Sequence, residues 1–181
     1  MVTIYLSMKY GGITMKEKRD DYLFCFKKFG DLRLVSPNEK LAEVYKKKSR
    51  SALNMLESAK EKQENEWILD TSYYAKYFIV YALFMKVGIK SEIHDCTIFA
   101  LNSLFAEEKI VDKEIYEELK KSKDLRVGAL YYDKDFGGEE ILKRAKIAPE
   151  FCLKVESILD KITKEDIEKI RNKFGVLKNL N

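Results

Sequence analysis

The stretch from Asp70 to His94 constrains the fold of this chain more than any other. Every side chain from Tyr77 to Met85 is apolar or aromatic, and the only charged residues between Trp67 and Met85 are Asp70 and Lys76. A helix that is apolar on nearly all its faces must be surrounded by protein. The stretch therefore predicts a central, buried helix, which Gly88 is expected to end in a left-handed conformation.

The remaining sequence repeats apolar residues mainly at helical spacing. Further helices are predicted at about 17–29, 38–62, 92–105, 113–132 and 141–162, with a short last helix that begins after Thr163 and ends at Gly175. Ser91 can cap the helix that places His94 in its first turn, and Pro149 predicts a kink rather than a break. No strand is predicted after residue 14.

These patterns predict an all-α fold, an up-and-down bundle of four to five core helices. We expect an N-terminal extension over 1–22, the bundle over 23–162, and a short C-terminal helix with a tail over 163–181. Residues 1–14 read as a short extended piece with a Gly11-Gly12 turn. Either they form an edge strand or a packing arm, or Met15 is the true start of the protein.

Composition sets broad limits on function. The net charge is +4 with 35% charged residues of both signs interspersed, which indicates a solvated surface rather than an obvious nucleic-acid binder. The run from Tyr77 to Met85 is too short to span a bilayer. Cys25, Cys96 and Cys152 stand in apolar surroundings, so we expect buried thiols and a reducing, cytoplasmic location.

The sequence contains no familiar cofactor motif. The glycines do not form a phosphate-binding loop, and a single histidine cannot complete a zinc cluster, so neither a cofactor nor a metal is expected. His94 opens a helix, where the protonated form is disfavoured; it either holds the turn in place or serves as a neutral hydrogen-bonding group. Arg126 lies among apolar residues and needs an anionic partner, in a structural ion pair or a phosphate contact.

The order and spacing of these residues resemble the HEPN family (higher eukaryotes and prokaryotes nucleotide-binding domain), closest to its small archaeal and bacterial members. The resemblance extends from about Cys25 to Ile162. Its residues are Trp67, Tyr73-Tyr74-Ala75, Leu83, Gly88, His94, Phe105, Ile110, Leu125-Arg126, Ala129 and Tyr131.

The resemblance implies a helical bundle, usually a homodimer, that is often encoded beside a minimal nucleotidyltransferase in toxin–antitoxin or related systems. Many members are metal-independent ribonucleases. Their signature is an arginine followed, after four to six residues, by a histidine, and the pair meets its copy across the dimer interface.

This chain departs from that signature. Arg126 matches the arginine, but the three positions open to the histidine are Tyr131, Tyr132 and Asp133. Tyrosine titrates near 10, so Tyr131 is a poor general base at neutral pH, although it can donate a hydrogen bond or stack on a base. Leu130 replaces the family's aspartate, and Asp133 stands where some relatives carry an adenylylated tyrosine.

We therefore expect a non-catalytic HEPN-type module that binds a nucleotidyltransferase partner, a nucleotide or RNA. The candidate binding residues are Tyr74, His94, Arg126, Tyr131 and Tyr132. One alternative is a divergent metal-independent endoribonuclease that uses Arg126, Tyr131 and His94. Another is a helical dimer whose polar residues are purely structural.

Overall fold

The computed structural model describes residues 21–28, 30–132 and 136–179. Most of the expected N-terminal extension, the question about Met15, and Asp133 lie outside these residues. The helices are α1 (Leu23–Lys28, π-helical), α2 (Glu39–Glu61), α3 (Asn65–Val87), α4 (His94–Ala100, continued by a π-helical segment Leu101–Ala106), α5 (Lys113–Tyr132), α6 (Gly137–Lys161) and α7 (Lys164–Lys178). The all-α prediction is confirmed.

Helix α3 is the centre of the bundle, as its composition predicts. It contacts α2, α5, α6 and α7, and its side chains are buried on almost every face. Phe84 of α3 stacks on Phe105 with 5.0 Å between ring centroids, and both rings are fully buried. Such pairs contribute roughly 0.5–1.5 kcal/mol beyond the area they bury.

The end of α3 is fixed by contacts from distant parts of the chain. Gly88 adopts the predicted left-handed conformation with φ 82°. A Cβ at this position would lie 2.4 Å from the carbonyl oxygen of Val35, so the close approach also requires glycine. Arg171 of α7 donates to the carbonyl oxygens of Val35, Val87 and Gly88 at 2.9–3.1 Å and thereby ties α7 to the bundle.

A two-residue strand pair joins the ends of two loops. Strand β1 (Arg33–Leu34) pairs antiparallel with β2 (Ile89–Lys90), with Arg33 opposite Lys90. The expectation of no strand after residue 14 was therefore wrong in this detail. Each strand has only two residues, which are too few to show an alternating pattern in the sequence. The ladder forms only because the two loops approach each other.

The predicted helix ends were partly right. The Asn38 cap of α2 and the capping box of Thr163 with Asp166 are confirmed. Ser91 does not cap α4; instead the buried carboxylate of Asp31 accepts hydrogen bonds from the backbone amides of Glu92 and Ile93 and from Ser91 Oγ. These bonds hold the turn that precedes α4, whose N-cap residue Ile93 provides no side-chain cap. A contact from a residue so far away in sequence leaves no local signature.

Two further expectations were wrong. Gly175 lies inside α7 and does not end it. Cys25 and Cys96 form a disulfide, with a Cα–Cα distance of 5.4 Å, and only Cys152 is a free, buried thiol. The two cysteines are 71 residues apart, so only the packing of α1 against α4 brings them within bonding reach.

Pro149 is accommodated within a single helix α6.

Candidate functional site

Arg126 is the centre of a polar and aromatic cluster built by three helices. Helix α5 supplies Arg126, α3 supplies Asp70, Tyr73 and Tyr74, and α4 supplies His94. We call these five residues the Arg126 cluster. Helices α3 and α5 pack side by side and run antiparallel. Asp70 therefore lies opposite Arg126, and Lys76 lies opposite Ser122.

The guanidinium of Arg126 is held in place by an acid and two rings. Its Nε donates to the Asp70 carboxylate, and an Nη donates to the hydroxyl of Tyr74 at 3.3 Å. Its Cζ lies 4.9 Å from the centroid of the Tyr74 ring and 5.4 Å from that of Tyr73, both within cation–π range. The Arg126 side chain retains 12% exposure, so it is ordered by the protein while still reaching the surface.

The charge of Arg126 is secure. Burial works against the charged form, but the hydrogen bond and the negative charge of Asp70 outweigh it and raise the pKa of Arg126. Asp70 thus supplies the anionic partner that was predicted for Arg126. It is one of the two charged residues between Trp67 and Met85.

His94 lies on the other side of the same tyrosine. Its Nδ1 is 2.8 Å from the hydroxyl of Tyr73, and its ring stacks on Tyr77 at 4.3 Å between centroids. Burial, together with the charges of Arg126 and Lys123, lowers the pKa of His94 from its usual value of 6.5. The imidazole is therefore neutral at pH 7, as its place at a helix start predicts.

Tyr73 lies between the imidazole of His94 and the guanidinium of Arg126. Its hydroxyl faces His94 and its ring faces Arg126, while burial raises its pKa well above the ordinary range. Tyr73 therefore remains a neutral phenol and cannot serve as an anion or a base at physiological pH.

The sequence-predicted residues divide into two groups. Tyr74, His94 and Arg126 are brought together in the cluster. Tyr131 and Tyr132 lie on the last turn of α5 and are 68% and 69% exposed, outside the packed cluster but beyond Arg126 on the same helix. The sequence analysis did not assign Asp70 and Tyr73 to the site; the isolated charge of Asp70 within α3 was the signal available for it.

A second ionic cluster, formed by residues of α3, α5 and α6, was not predicted from the sequence. The Nζ of Lys76 is fully buried and donates to Glu118 at 2.7 Å, to Ser122 at 2.8 Å and to the carbonyl oxygen of Arg144 at 3.2 Å. Arg144 also donates to Glu118. We call these four residues the Lys76 network, and its enclosure gives it a structural role.

Fold and cluster together define the class of protein: an all-α bundle with a partly buried arginine–tyrosine–histidine site on its side. Within the described residues, none of the helices combines the length and apolar character needed to cross a membrane.

The family follows from a sequence comparison. The chain matches the family model described as HEPN domain over residues 42–177, which is well over half of its length. The chain belongs to the HEPN family, and this membership indicates a nucleotide- or RNA-related module. The matched region extends past Ile162 through most of α7. A search of curated proteins gives no significant match.

Proposed function

We propose that this protein is a non-catalytic HEPN module that binds a nucleotide or single-stranded RNA at the Arg126 cluster. The observation that carries the proposal is the guanidinium of Arg126, which Asp70 orients against the rings of Tyr73 and Tyr74 and whose side chain stays 12% exposed. Asp70 and Tyr74 engage one donor each of the five that a guanidinium carries. A planar, permanently charged fork suits a phosphate, which it can bind in a bidentate manner.

Exposed aromatic rings extend the site towards bases. Tyr131 and Tyr132 lie on the final turn of α5, and Trp67, 62% exposed, is one turn before Asp70 on α3. Because α3 and α5 are antiparallel, all three rings lie towards the same end of the helix pair. Stacking of a base on an aromatic side chain is sequence-tolerant and contributes about 1–3 kcal/mol.

Under this proposal the protein does not use the family's usual cleavage chemistry. No histidine stands five to seven residues after Arg126, and the rings at 131 and 132 are phenols. We further propose that the module acts as a homodimer and as the partner of a minimal nucleotidyltransferase in a toxin–antitoxin-like system. Size-exclusion chromatography with light scattering, alone and after co-expression with a neighbouring nucleotidyltransferase, tests both points. A monomer, or the absence of a complex, would contradict the corresponding point.

The binding test uses labelled single-stranded RNA in fluorescence anisotropy. The wild type should bind, and Arg126→Ala should weaken binding by about 1–3 kcal/mol, as loss of a charged hydrogen bond predicts. Arg50→Ala on α2 is a matched control, since Arg50 is an exposed arginine paired with Glu156. Equal affinities of Arg126→Ala and the wild type would refute the site.

A second candidate function, metal-independent RNA cleavage, is favoured by one observation. His94 and Arg126 flank the same Tyr73 ring, and the pKa of His94 is lowered, so a neutral imidazole stands near a phosphate-binding cation. If Nδ1–H donates to the Tyr73 oxygen, Nε2 carries the lone pair that could take a proton from a 2′-hydroxyl.

RNA cleavage in EDTA separates the two candidates. The binding module predicts no cleavage by the wild type. The ribonuclease predicts cleavage that both Arg126→Ala and His94→Ala abolish, with Arg50→Ala unaffected. Cleavage that persists in His94→Ala would show contamination or another base.

A further inference from the structure

The central helix α3 reaches solvent through two aromatic rings. Between Ser72 and Met85 every residue is buried except Tyr74 and Phe78, which are half-buried. Their rings stack with 5.4 Å between centroids and 27° between planes. Because residues four apart lie on one face of a helix, the open parts of both rings lie on the same side of the bundle.

Helix α2 adds a third ring and a cation beside them. The ring of Tyr45 is half-buried and lies 6.1 Å from that of Phe78. The exposed Lys48 places its Nζ 4.7 Å from the centroid of Tyr45 and 5.7 Å from that of Phe78. Both distances are within the range of cation–π attraction, which holds the ammonium over the rings.

These contacts form a continuous row with a cation at each end. The Cζ of Arg126 lies 4.9 Å from the centroid of Tyr74, whose ring stacks on Phe78. Lys48 lies over Phe78 at the other end. The members of this cation–aromatic row come from α2, α3 and α5 and are Lys48, Tyr45, Phe78, Tyr74 and Arg126.

The row presents positive charge to a ligand. Among the described residues no carboxylate pairs with Lys48, whose contacts are the two rings. At the other end, Asp70 engages one donor of Arg126. The carboxylates around the start of α4, Glu92 and Asp95, both form ion pairs with lysine or arginine side chains. This charge distribution suits a polyanion.

We propose that the cation–aromatic row binds a segment of single-stranded RNA that spans at least two phosphates. One phosphate would contact Arg126 and another would contact Lys48, because the two cations lie over different rings. The bases between them would stack on the open parts of the Tyr74, Phe78 and Tyr45 rings. Cations together with aromatic platforms are the usual means of holding a single strand.

This assignment rests on the proposed function and narrows its ligand from a nucleotide or RNA to an oligonucleotide. A nucleoside monophosphate has one phosphate and can occupy only one end of the row. Linked nucleotides occupy both ends with a single loss of translational freedom, so affinity should rise with length.

The test titrates fluorescein-labelled hexauridylate with the full chain in fluorescence anisotropy at several salt concentrations. Lys48→Gln should weaken binding about threefold or more at low salt, because one phosphate contact is lost. It should also reduce the slope of log affinity against log salt by about 0.7, the value for one phosphate of a single strand. A lysine that only packs on the rings would leave that slope unchanged.

Phe78→Leu tests the rings. Leucine keeps an apolar contact with the core but removes the flat face, so binding should weaken about fivefold or more. Circular dichroism and urea denaturation verify that each variant is folded. Unlabelled uridine monophosphate should compete about tenfold less well than unlabelled hexauridylate, or worse, since it reaches one cation only.

The matched control is Lys47→Gln, which removes the same charge from the preceding residue of α2. Lys47 is also exposed, but it points about 100° away around the helix. Its variant should bind hexauridylate within about twofold of the wild type, because salt screens exposed charges that do not touch the ligand.

The outcomes separate the row from the Arg126 cluster. If the wild type does not bind hexauridylate, or Arg126→Ala binds it equally well, the proposed function fails and the row fails with it. If Arg126→Ala weakens binding while either Lys48→Gln or Phe78→Leu matches the wild type, only the row is overturned, and its rings are core packing or a protein contact. Equal losses in Lys48→Gln and Lys47→Gln, or equal competition by the monophosphate, would also overturn the row.

Discussion

The interface between α3 and α5 contains two cation–carboxylate clusters that differ in one respect, their access to solvent. In the Lys76 network the Nζ of Lys76 is enclosed, and its three hydrogen bonds all go to protein groups. In the Arg126 cluster the cation is held by Asp70 but reaches the surface between aromatic rings. Burial makes the first cluster a structural element, because breaking it leaves uncompensated charge inside the core.

This comparison shows how to interpret a charge in a buried helix. Asp70 and Lys76 occupy the same apolar helix and both find partners on α5. The cation of the first pair, Arg126, keeps 12% side-chain exposure, whereas the cation of the second pair, Lys76, is fully buried. Asp70 and Lys76 are six residues apart on α3. This difference in position decides which of the two cations is accessible to a ligand.

The largest expected effect is on the Lys76 network. Glu118→Ala leaves Lys76 and Arg144 without their shared carboxylate and should lower the free energy of unfolding by about 3–5 kcal/mol. Urea denaturation measures the change. Glu117→Ala, which removes an exposed pair with Lys113, is the matched control and should cost less than about 1 kcal/mol. Similar losses in both variants would mean that enclosure does not distinguish the network.

Arg126→Ala should have a smaller effect on stability and a larger one on RNA binding. The substitution leaves Asp70 partly buried without its cation, which should cost about 1–3 kcal/mol of unfolding free energy. Denaturation and RNA anisotropy on the same preparation give both values. A loss of stability as large as that of Glu118→Ala, with RNA affinity unchanged, would make the Arg126 cluster structural as well.

His94→Gln tests the electrostatics of the cluster through pH. Because the pKa of His94 is lowered in the folded state, the unfolded chain binds the proton more readily. This part of the stability is present above the unfolded pKa near 6.5 and is lost as pH falls towards the folded pKa. The variant should lose about 1 kcal/mol at pH 7 through the missing Tyr73 bond.

The variant should also have a flatter dependence of unfolding free energy on pH below 6.5. Denaturation at several pH values between 5 and 8 measures it for both proteins. Parallel curves would show that His94 titrates alike in the folded and unfolded chains.

Tyr131→Ala and Tyr132→Ala should have the smallest effect on stability, within about 0.5 kcal/mol, because both rings are largely exposed. If they stack on bases, each should still weaken RNA binding, by about 1–3 kcal/mol. Met55→Ala is the control, as another exposed large side chain far along α2. RNA affinities equal to that of the control would remove the tyrosines from the site.

Much of the architecture could be predicted from local patterns. The central position of α3 follows from its uniform apolar character. The caps at Asn38 and Thr163 are also local, because each capping side chain bonds a residue three positions further along the chain. The hydrogen bonds that hold the turn before α4 could not be predicted, because Asp31 reaches that turn from another loop. The disulfide was missed for the same reason, since α1 and α4 approach each other only in the folded chain.

The candidate site shows the same division. Arg126, His94 and Tyr74 were identifiable as residue types in a family-like order, whereas the pairing with Asp70 and the bridging position of Tyr73 were not. Helical periodicity specifies which face a side chain occupies but not which other helix that face meets. That choice depends on the packing of the whole bundle.

The sequence by itself determined an all-α bundle around one apolar helix, membership of the HEPN family, and the absence of a histidine five to seven residues after Arg126. Those properties are local in the chain or carried by spacing along it. Only the tertiary structure decided that His94 and Arg126 flank one tyrosine, that Lys76 is enclosed, and that Lys48 lies over a ring of α3. The physical reason is that burial and charge pairing depend on distances in space between residues that are remote in sequence.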